Sequence, residues 1–318
     1  MIYTLTLNPA IDRELTVDKV EYDKVLTAVE ARVDLGGKGF NVSRMLMSLG
    51  TPSVAVGFVG GNTGRRLESG LRALGIDSDF VWVDTETRTN ISIVTKLHDH
   101  YIKVNEKGPL VNEDKQAELL EKIESIAQAG DWWVLAGSLP PGIDESFYAR
   151  IIRVLTDRQA TTILDTIGEA LRLGCQEKPF LIKPNGEEAQ ALTNLPVDTP
   201  EQIATAAAEL RTMGAQNVVI SLGKSGALLQ TAEATWMVNP PVVKEKNPIG
   251  AGDSMVGGLV WALAQDMPLE EALSWGVASG AAAASLSGTD VGSLGLITEL
   301  RSQVRIEALE IPVKKMRF

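Results

Sequence analysis

Short apolar, β-rich runs alternate along the chain with segments whose apolar positions recur every three to four residues. This is the pattern of a mainly parallel α/β sheet, Rossmann-like, with helices on both faces. Residues 54–59 form an apolar run, 63–74 a helical pattern that Gly75 stops, and 80–83 the next run. Further runs at 132–136, 162–164, 180–182 and 218–221 lead into Gly, Pro, Asn or Asp. Strand exits of this kind are where such sheets place ligands. Two stretches break the rhythm, because 11–35 and 89–105 alternate like strands with no helix between or after them. In the second, Ile91, Ile93, Thr95 and Leu97 share one face, and Asn90, Ser92, Val94 and Lys96 the other. These stretches predict a small β-layer projecting from the main sheet, placed to cover a substrate or to pair with a second subunit. Near the C-terminus two helical patterns, 251–264 and 269–286, are rich in Ala and Gly. Small residues let backbones pack closely, which predicts that the pair lies tight against the sheet.

Composition refines this picture. With 318 residues and no Pro/Ser-rich linker, low-complexity tract or internal repeat, one domain over residues 1–318 is expected. A hydrophobic fraction of 44% and a charged fraction of 22% suit a globular chain with a large core. The first nine residues alternate and stop at Pro9, which reads as a strand rather than a signal peptide. No apolar run reaches the roughly 20 residues of a membrane span, so a soluble protein is expected. The single cysteine, Cys175, cannot close an intrachain disulfide and suits a reducing, cytoplasmic setting. A net charge of −11 argues against nucleic acid or anionic membrane as partner and favours small-molecule chemistry.

The sharpest motif is Asn247-Pro248-Ile249-Gly250-Ala251-Gly252-Asp253-Ser254, running straight into a helical pattern. Small residues leave the N–H groups of a helix N-terminus bare, and the helix dipole adds positive potential, which makes an anion site. Asp253 at its rim is placed to take a proton from a hydroxyl attacking a phosphoryl group; the plainer reading is a helix cap. Gly36-Gly37-Lys38-Gly39-Phe40-Asn41 also precedes a helical pattern, and Lys38 and Asn41 could bond a phosphate or sugar hydroxyls. It is not a dinucleotide fingerprint, because Val42 stands where the third glycine belongs. Gly223-Lys224-Ser225 fails as a P-loop, since Val218 replaces the first glycine. Lys183-Pro184-Asn185-Gly186-Glu187-Glu188 places Asn185 and Glu188 on one helical face, where they could cap the helix or hold hydrated Mg²⁺ near phosphates. The turn 221–226 could wall a nucleotide pocket. His98 and His100 fit one strand face, but a zinc site would need carboxylates from elsewhere. A hydrolase triad has no support.

Taken in order, these segments resemble the ribokinase-like sugar kinases, in particular the PfkB branch. The resemblance runs from Thr6-Leu7-Asn8-Pro9-Ala10-Ile11-Asp12 through the 36–41 cluster, Gly137-Ser138-Leu139-Pro140-Pro141-Gly142 and Lys183-Pro184-Asn185 to Gly250-Ala251-Gly252-Asp253. It implies a Rossmann-like domain with a β-lid, homodimeric through the lid, that transfers the γ-phosphoryl group of ATP to a sugar with Mg²⁺. It further implies Asp253 as general base, with the amides of Gly250, Ala251 and Gly252 as anion hole. Asp12, Gly37, Asn41 and Ser138 would contact the sugar. Lys183, Asn185, Ser221, Gly223 and Gly226 would contact the nucleotide, and Asn185 and Glu188 the metal. Asn247 departs from the acid that many sugar kinases carry there and resembles the branch acting on sugar phosphates. Within it the bacterial 1-phosphofructokinases, tagatose-6-phosphate kinases and minor 6-phosphofructokinases are similar. The stretch Thr87-Arg88-Thr89-Asn90-Ile91-Ser92 leaves the exact sugar open. Lys38, Arg88 and Lys103 are candidates for the sugar's existing phosphate. A nucleotide- or sugar-sensing protein without turnover is the rival reading, against which the intact Asp253 argues.

Overall fold

The computed structural model describes residues 1–96 and 101–309. Leu97, His98 and His100 lie outside them, so the zinc reading of the two histidines falls outside the described residues. Along the chain come β1 (Ile2–Thr6), β2 (Ala10–Val17), β3 (Glu30–Gly36), α1 (Lys38–Ser48), β4 (Val54–Gly60), α2 (Gly61–Ala73), β5 (Asp77–Val83), β6 (Arg88–Thr95) and β7 (Tyr101–Val104). Then follow α3 (Glu113–Ile126), β8 (Trp132–Ala136), α4 (Phe147–Asp157), β9 (Thr161–Asp165), α5 (Gly168–Gln176), β10 (Leu181–Ile182), α6 (Gly186–Thr193), α7 (Pro200–Thr212) and β11 (Asn217–Ser221). The last elements are β12 (Ala227–Gln230), β13 (Thr235–Asn239), α8 (Ala251–Leu263), α9 (Leu269–Ala284), α10 (Leu294–Arg301) and β14 (Arg305–Ala308).

The main sheet has ten strands in the order β14-β13-β12-β11-β10-β9-β8-β1-β4-β5. From β5 to β11 the pairing is parallel. From β11 to β14 it is antiparallel, beginning across the turn at 221–226. Alternation places successive side chains of a strand in different cores. On β8, Trp133 and Leu135 enter the core shared with α3, α4, α5 and α7, whereas Val134 and Ala136 enter the one shared with α1, α8 and α9. Truncating a fully buried side chain such as Leu135 to alanine costs about 2–5 kcal/mol.

The two irregular stretches pair with each other in a separate four-stranded sheet, β3-β2-β6-β7. Its centre is the parallel pair β2 and β6, in which Asp12 lies opposite Asn90; on the other side of β2, Asp12 lies opposite Asp34. This sheet joins the body without slack, since β1 ends three residues before β2 begins and only Gly37 separates β3 from α1.

Helix ends follow their sequence signals. Thr199 and Gln202 close a capping box in front of Pro200 on α7, and Gly75 ends α2 with φ 77°. The Ala/Gly-rich helices share a core with the sheet strands, and they also pack closely on each other. A β-carbon on Gly258 would collide with Ser279 Oγ, and one on Gly280 would come within 3.0 Å of the Ala251 carbonyl oxygen. Among the described residues, no helix is long and apolar enough to cross a membrane.

Candidate active site

The exits of β1, β8, β9, β10 and β11 converge with the first turns of α1 and α8. Gly250, at φ 79°, turns the chain into α8, a left-handed conformation that a side chain would strain. Asp253 in the first turn is buried, 8% exposed. Burial pushes its carboxyl up from 3.8 to about 6; the Asp165 charge adds to this, while an Asn41 hydrogen bond and the charges of Lys38 and Lys183 oppose it. Asn41 Nδ2 donates to Asp253 Oδ2 at 2.8 Å, so the first turn of α1 orients the carboxylate.

Asp165, at the end of β9, is the organising acid that sequence reasoning did not single out. Its Oδ1 accepts from Lys38 Nζ at 3.2 Å and lies 3.4 Å from Lys183 Nζ. Lys183 is itself buried, 5% exposed. Burial pulls the Lys38 ammonium down, but Asp165 and Asp253 outweigh it and hold it above its ordinary value. Two cations and two carboxylates are therefore gathered at the N-terminal end of α8, a charge distribution able to stabilise charge that moves. The signal was present: Asp165 follows one of the apolar runs whose exits were expected to hold ligands.

On one side lies a cavity of about 480 Å³ lined by Asn185, Ser221, Gly223, Gly226, Ala251 and Gly252, with Val243, Met255 and Ala284 among its apolar walls. The 222–226 turn beside it is closed by Leu222 N–H donating to the Gly226 carbonyl at 2.8 Å. Asn185 and Glu188 form a reciprocal cap: Glu188 N–H donates to Asn185 Oδ1, and Asn185 N–H to Glu188 Oε2, both at 2.8 Å. Their chemistry fits Mg²⁺, a cation that takes few protein oxygens and keeps water and phosphate. Both cap oxygens already accept N–H groups, so most of its ligands would come from outside the protein. Among the described residues, no three His, Cys, Asp or Glu gather into a protein-only metal cage.

On the other side Asn8, Arg88, Lys107, Ser138 and Thr166 line a more open cavity of about 590 Å³. Arg88 is held by three backbone carbonyls, those of Asn8 (2.9 Å), Glu106 (3.1 Å) and Pro9 (3.4 Å). Burial lowers its pKa, against Asp12 and Glu106. Ser138 sits on a turn fixed by Tyr148 Oη and Thr166 Oγ1, which both donate to the Gly137 carbonyl. Asp12 extends from the small sheet and accepts from Asn90 Nδ2 at 2.8 Å. Lys103 is placed elsewhere: exposed on β7 opposite Ser92, it does not line this cavity. Lys107 takes that position, and the chain after β7 carried no pattern that distinguished the two lysines.

The model for the pfkB family carbohydrate kinases matches residues 4–294. The chain belongs to this family. It is 35% identical over 309 residues to the 1-phosphofructokinase of Bacillus subtilis, covering 97% of this chain and all of that protein. With the tagatose-6-phosphate kinase of Staphylococcus epidermidis it shares 33% identity, over 86% of this chain and 88% of that one. The phosphofructokinase-2 of Escherichia coli, solved in complex with fructose-6-phosphate, superposes with a TM-score of 0.87 at 33% identity, covering 95% and 98%. The chain is thus a carbohydrate kinase, a phosphotransferase acting on a sugar phosphate, and the small four-stranded sheet is its lid.

Proposed function

We propose that this kinase uses ATP to convert fructose 1-phosphate to fructose 1,6-bisphosphate. The observation that carries the reading is the buried Asp253 at the bare-amide end of α8, with a roomy apolar-walled cavity on one side and one bearing Arg88 and Lys107 on the other. The first suits ATP. The second suits an acceptor that already carries a phosphate, because guanidinium and ammonium groups bind phosphate through charge-assisted hydrogen bonds.

In the reaction, Asp253 takes the proton of the sugar hydroxyl as its oxygen forms a bond to the γ-phosphorus. The bond from that phosphorus to the β–γ bridging oxygen breaks, and ADP leaves with the electron pair. The amides of Gly250, Ala251 and Gly252 face the charge on the migrating group, and Lys38 and Lys183 stand beside it. Asn41 holds the base in place. Asp12, Gly37 and Asn41 orient the sugar hydroxyls, and Ser138 with Arg88 receives its phosphate. Asn185, Ser221, Gly223 and Gly226 seat the nucleotide. Mg²⁺, when bound with Asn185 and Glu188, neutralises nucleotide phosphate charge.

The B. subtilis relative is a 1-phosphofructokinase along its whole length, which favours fructose 1-phosphate over tagatose 6-phosphate or fructose 6-phosphate as acceptor. A homodimer through the lid belongs to the same reading: β3 and β7 are open edges, and Val33, Ile91, Tyr101 and Val104 expose apolar surface there. A coupled ADP-release assay on the three sugar phosphates should give the highest kcat/KM with fructose 1-phosphate. A higher value with another acceptor would reassign the substrate. Binding of ATP with no turnover of any sugar would support a sensor.

A further inference from the structure

Between the lid and the anion hole runs a chain of side-chain hydrogen bonds that the reaction as described does not use. It starts at Asp34 on β3, opposite Asp12 in the β2 ladder. Asp34 Oδ1 accepts from Thr289 Oγ1 at 2.9 Å, and the Thr289 hydroxyl in turn accepts from Arg44 Nη1 of α1 at 2.8 Å. Arg32 also reaches Asp34 from Nε and Nη2, so the lid end of the chain is firmly held. Next to Thr289, the Gly288 carbonyl accepts from Asn247 Nδ2 at 2.9 Å. Asn247 Oδ1 accepts from Ile249 N–H at 3.0 Å, one residue before Gly250. The backbone N–H groups of Lys246 and Asn247 donate to the Ala284 carbonyl, fastening the same loop to the end of α9.

The Thr289 links to Asp34 and Arg44 and the Asn247 link to Gly288 join segments far apart in sequence, while the Asn247 bond to Ile249 is local. Position 34 reports where the lid strand lies; position 249 sets the first amide of the turn that carries Gly250, Ala251 and Gly252. A displacement of β3 is therefore passed through two side chains to the anion hole. We propose that Thr289 and Asn247 are positioning residues that couple the lid's placement over the sugar to that of the Gly250–Gly252 amides around the phosphoryl group. This rests on the reading that the lid carries Asp12 to the sugar. Neither Thr289 nor Asn247 lines either of the two cavities.

Coupling between two ligands is a measurable ratio and is reciprocal. The acceptor that the wild type turns over fastest should tighten binding of a non-hydrolysable ATP analogue by about fivefold or more, within the usual range of coupling. In Thr289→Val, which keeps shape but loses the hydroxyl, that ratio should fall to about one while each ligand alone binds as before. Thr289→Ser should restore it. Asn247→Ser, which can still accept from Ile249 N–H but cannot reach Gly288, should lose it too, and the double variant should lose nothing further. Hydrogen exchange gives a second readout that needs no nucleotide: acceptor alone should slow exchange across residues 246–252 in wild type and Thr289→Ser, but not in Thr289→Val. A ratio of one in wild type, or an unchanged ratio in Thr289→Val, overturns the proposal. Because the acceptor is chosen by turnover, a wrong sugar identity alters the substrate assignment and leaves this test intact.

Discussion

Replacing Asp253 by asparagine should make the protein more stable and nearly inactive. Asparagine has the shape of a protonated aspartic acid, and its Oδ1 can still accept from Asn41 Nδ2. It differs in never becoming charged. The carboxyl titrates at about 6 in the fold against an ordinary value of 3.8. Between those values the folded protein keeps a proton that the unfolded chain has lost. Stability therefore falls as pH rises through this window, and the cost is complete above about 6. At 1.36 kcal/mol for each tenfold difference in proton affinity, the charged carboxylate destabilises the fold by about 3 kcal/mol at pH 7.5. Urea unfolding without ligands measures this. With a denaturant slope of about 3 kcal/mol/M, the Asp253→Asn midpoint should lie about 1 M above that of wild type at pH 7.5. Below pH 4 the two curves should converge. Turnover should drop by roughly 10²- to 10⁴-fold, the usual contribution of a positioned base. Equal midpoints at pH 7.5, or a gap that persists at pH 4, would show that burial does not strain the carboxylate. Near wild-type turnover would remove it from the mechanism.

The wild-type kcat/KM should rise with pH through about 6 and level off above it, since the base of the free enzyme must be unprotonated; a flat profile from pH 5 to 8 contradicts this assignment. Arg88→Ala should raise KM for the sugar phosphate by about 10-fold or more, the equivalent of 1.4 kcal/mol, and hardly move KM for ATP. An effect on ATP alone would exchange the two sites. Light scattering at micromolar concentration should show a homodimer, and fully active monomer would speak against pairing through the lid.

What could be read from the sequence was local. The glycine clusters at 36–39 and 250–252 declare themselves because the chemistry of a bare helix N-terminus is written in adjacent residues. Asn185 and Glu188 were legible for the same reason, three residues apart on one turn. The lid strands showed as alternation, although not their parallel pairing of β2 with β6, which depends on two excursions meeting in space. Asp165 was harder, because its partners Lys38 and Lys183 approach from different loops and only one of them is near in sequence. Lys107 on the cavity wall was not singled out for a related reason: alternation, which drew attention to Lys103, marks a strand face but not where the chain turns back toward the body. Of the antiparallel strands β12 to β14, the turn at 221–226 pointed to the first, while β13 and β14, five and four residues long, carry too few residues to establish a period.

The glycines that knit α8 to α9 bear on which parts of the molecule can move. With Gly258 against Ser279 and Gly280 against the Ala251 carbonyl, the two helices meet backbone to backbone along part of their length, and further along Trp261 and Trp275 pack edge to face. Sliding or rolling of α8 would have to lift these surfaces apart, and bulkier residues would wedge them. The proposed base is consequently anchored to a closely packed pair of helices, while the proposed sugar site rests partly on a thin sheet joined to the body at the ends of β1, β3, β5 and β7. On the proposed reading, approach to the reactive distance is one-sided: the acceptor travels to a stationary proton receiver. Mutational drift should be resisted at the small residues of α8 and α9, even at those that never touch a substrate.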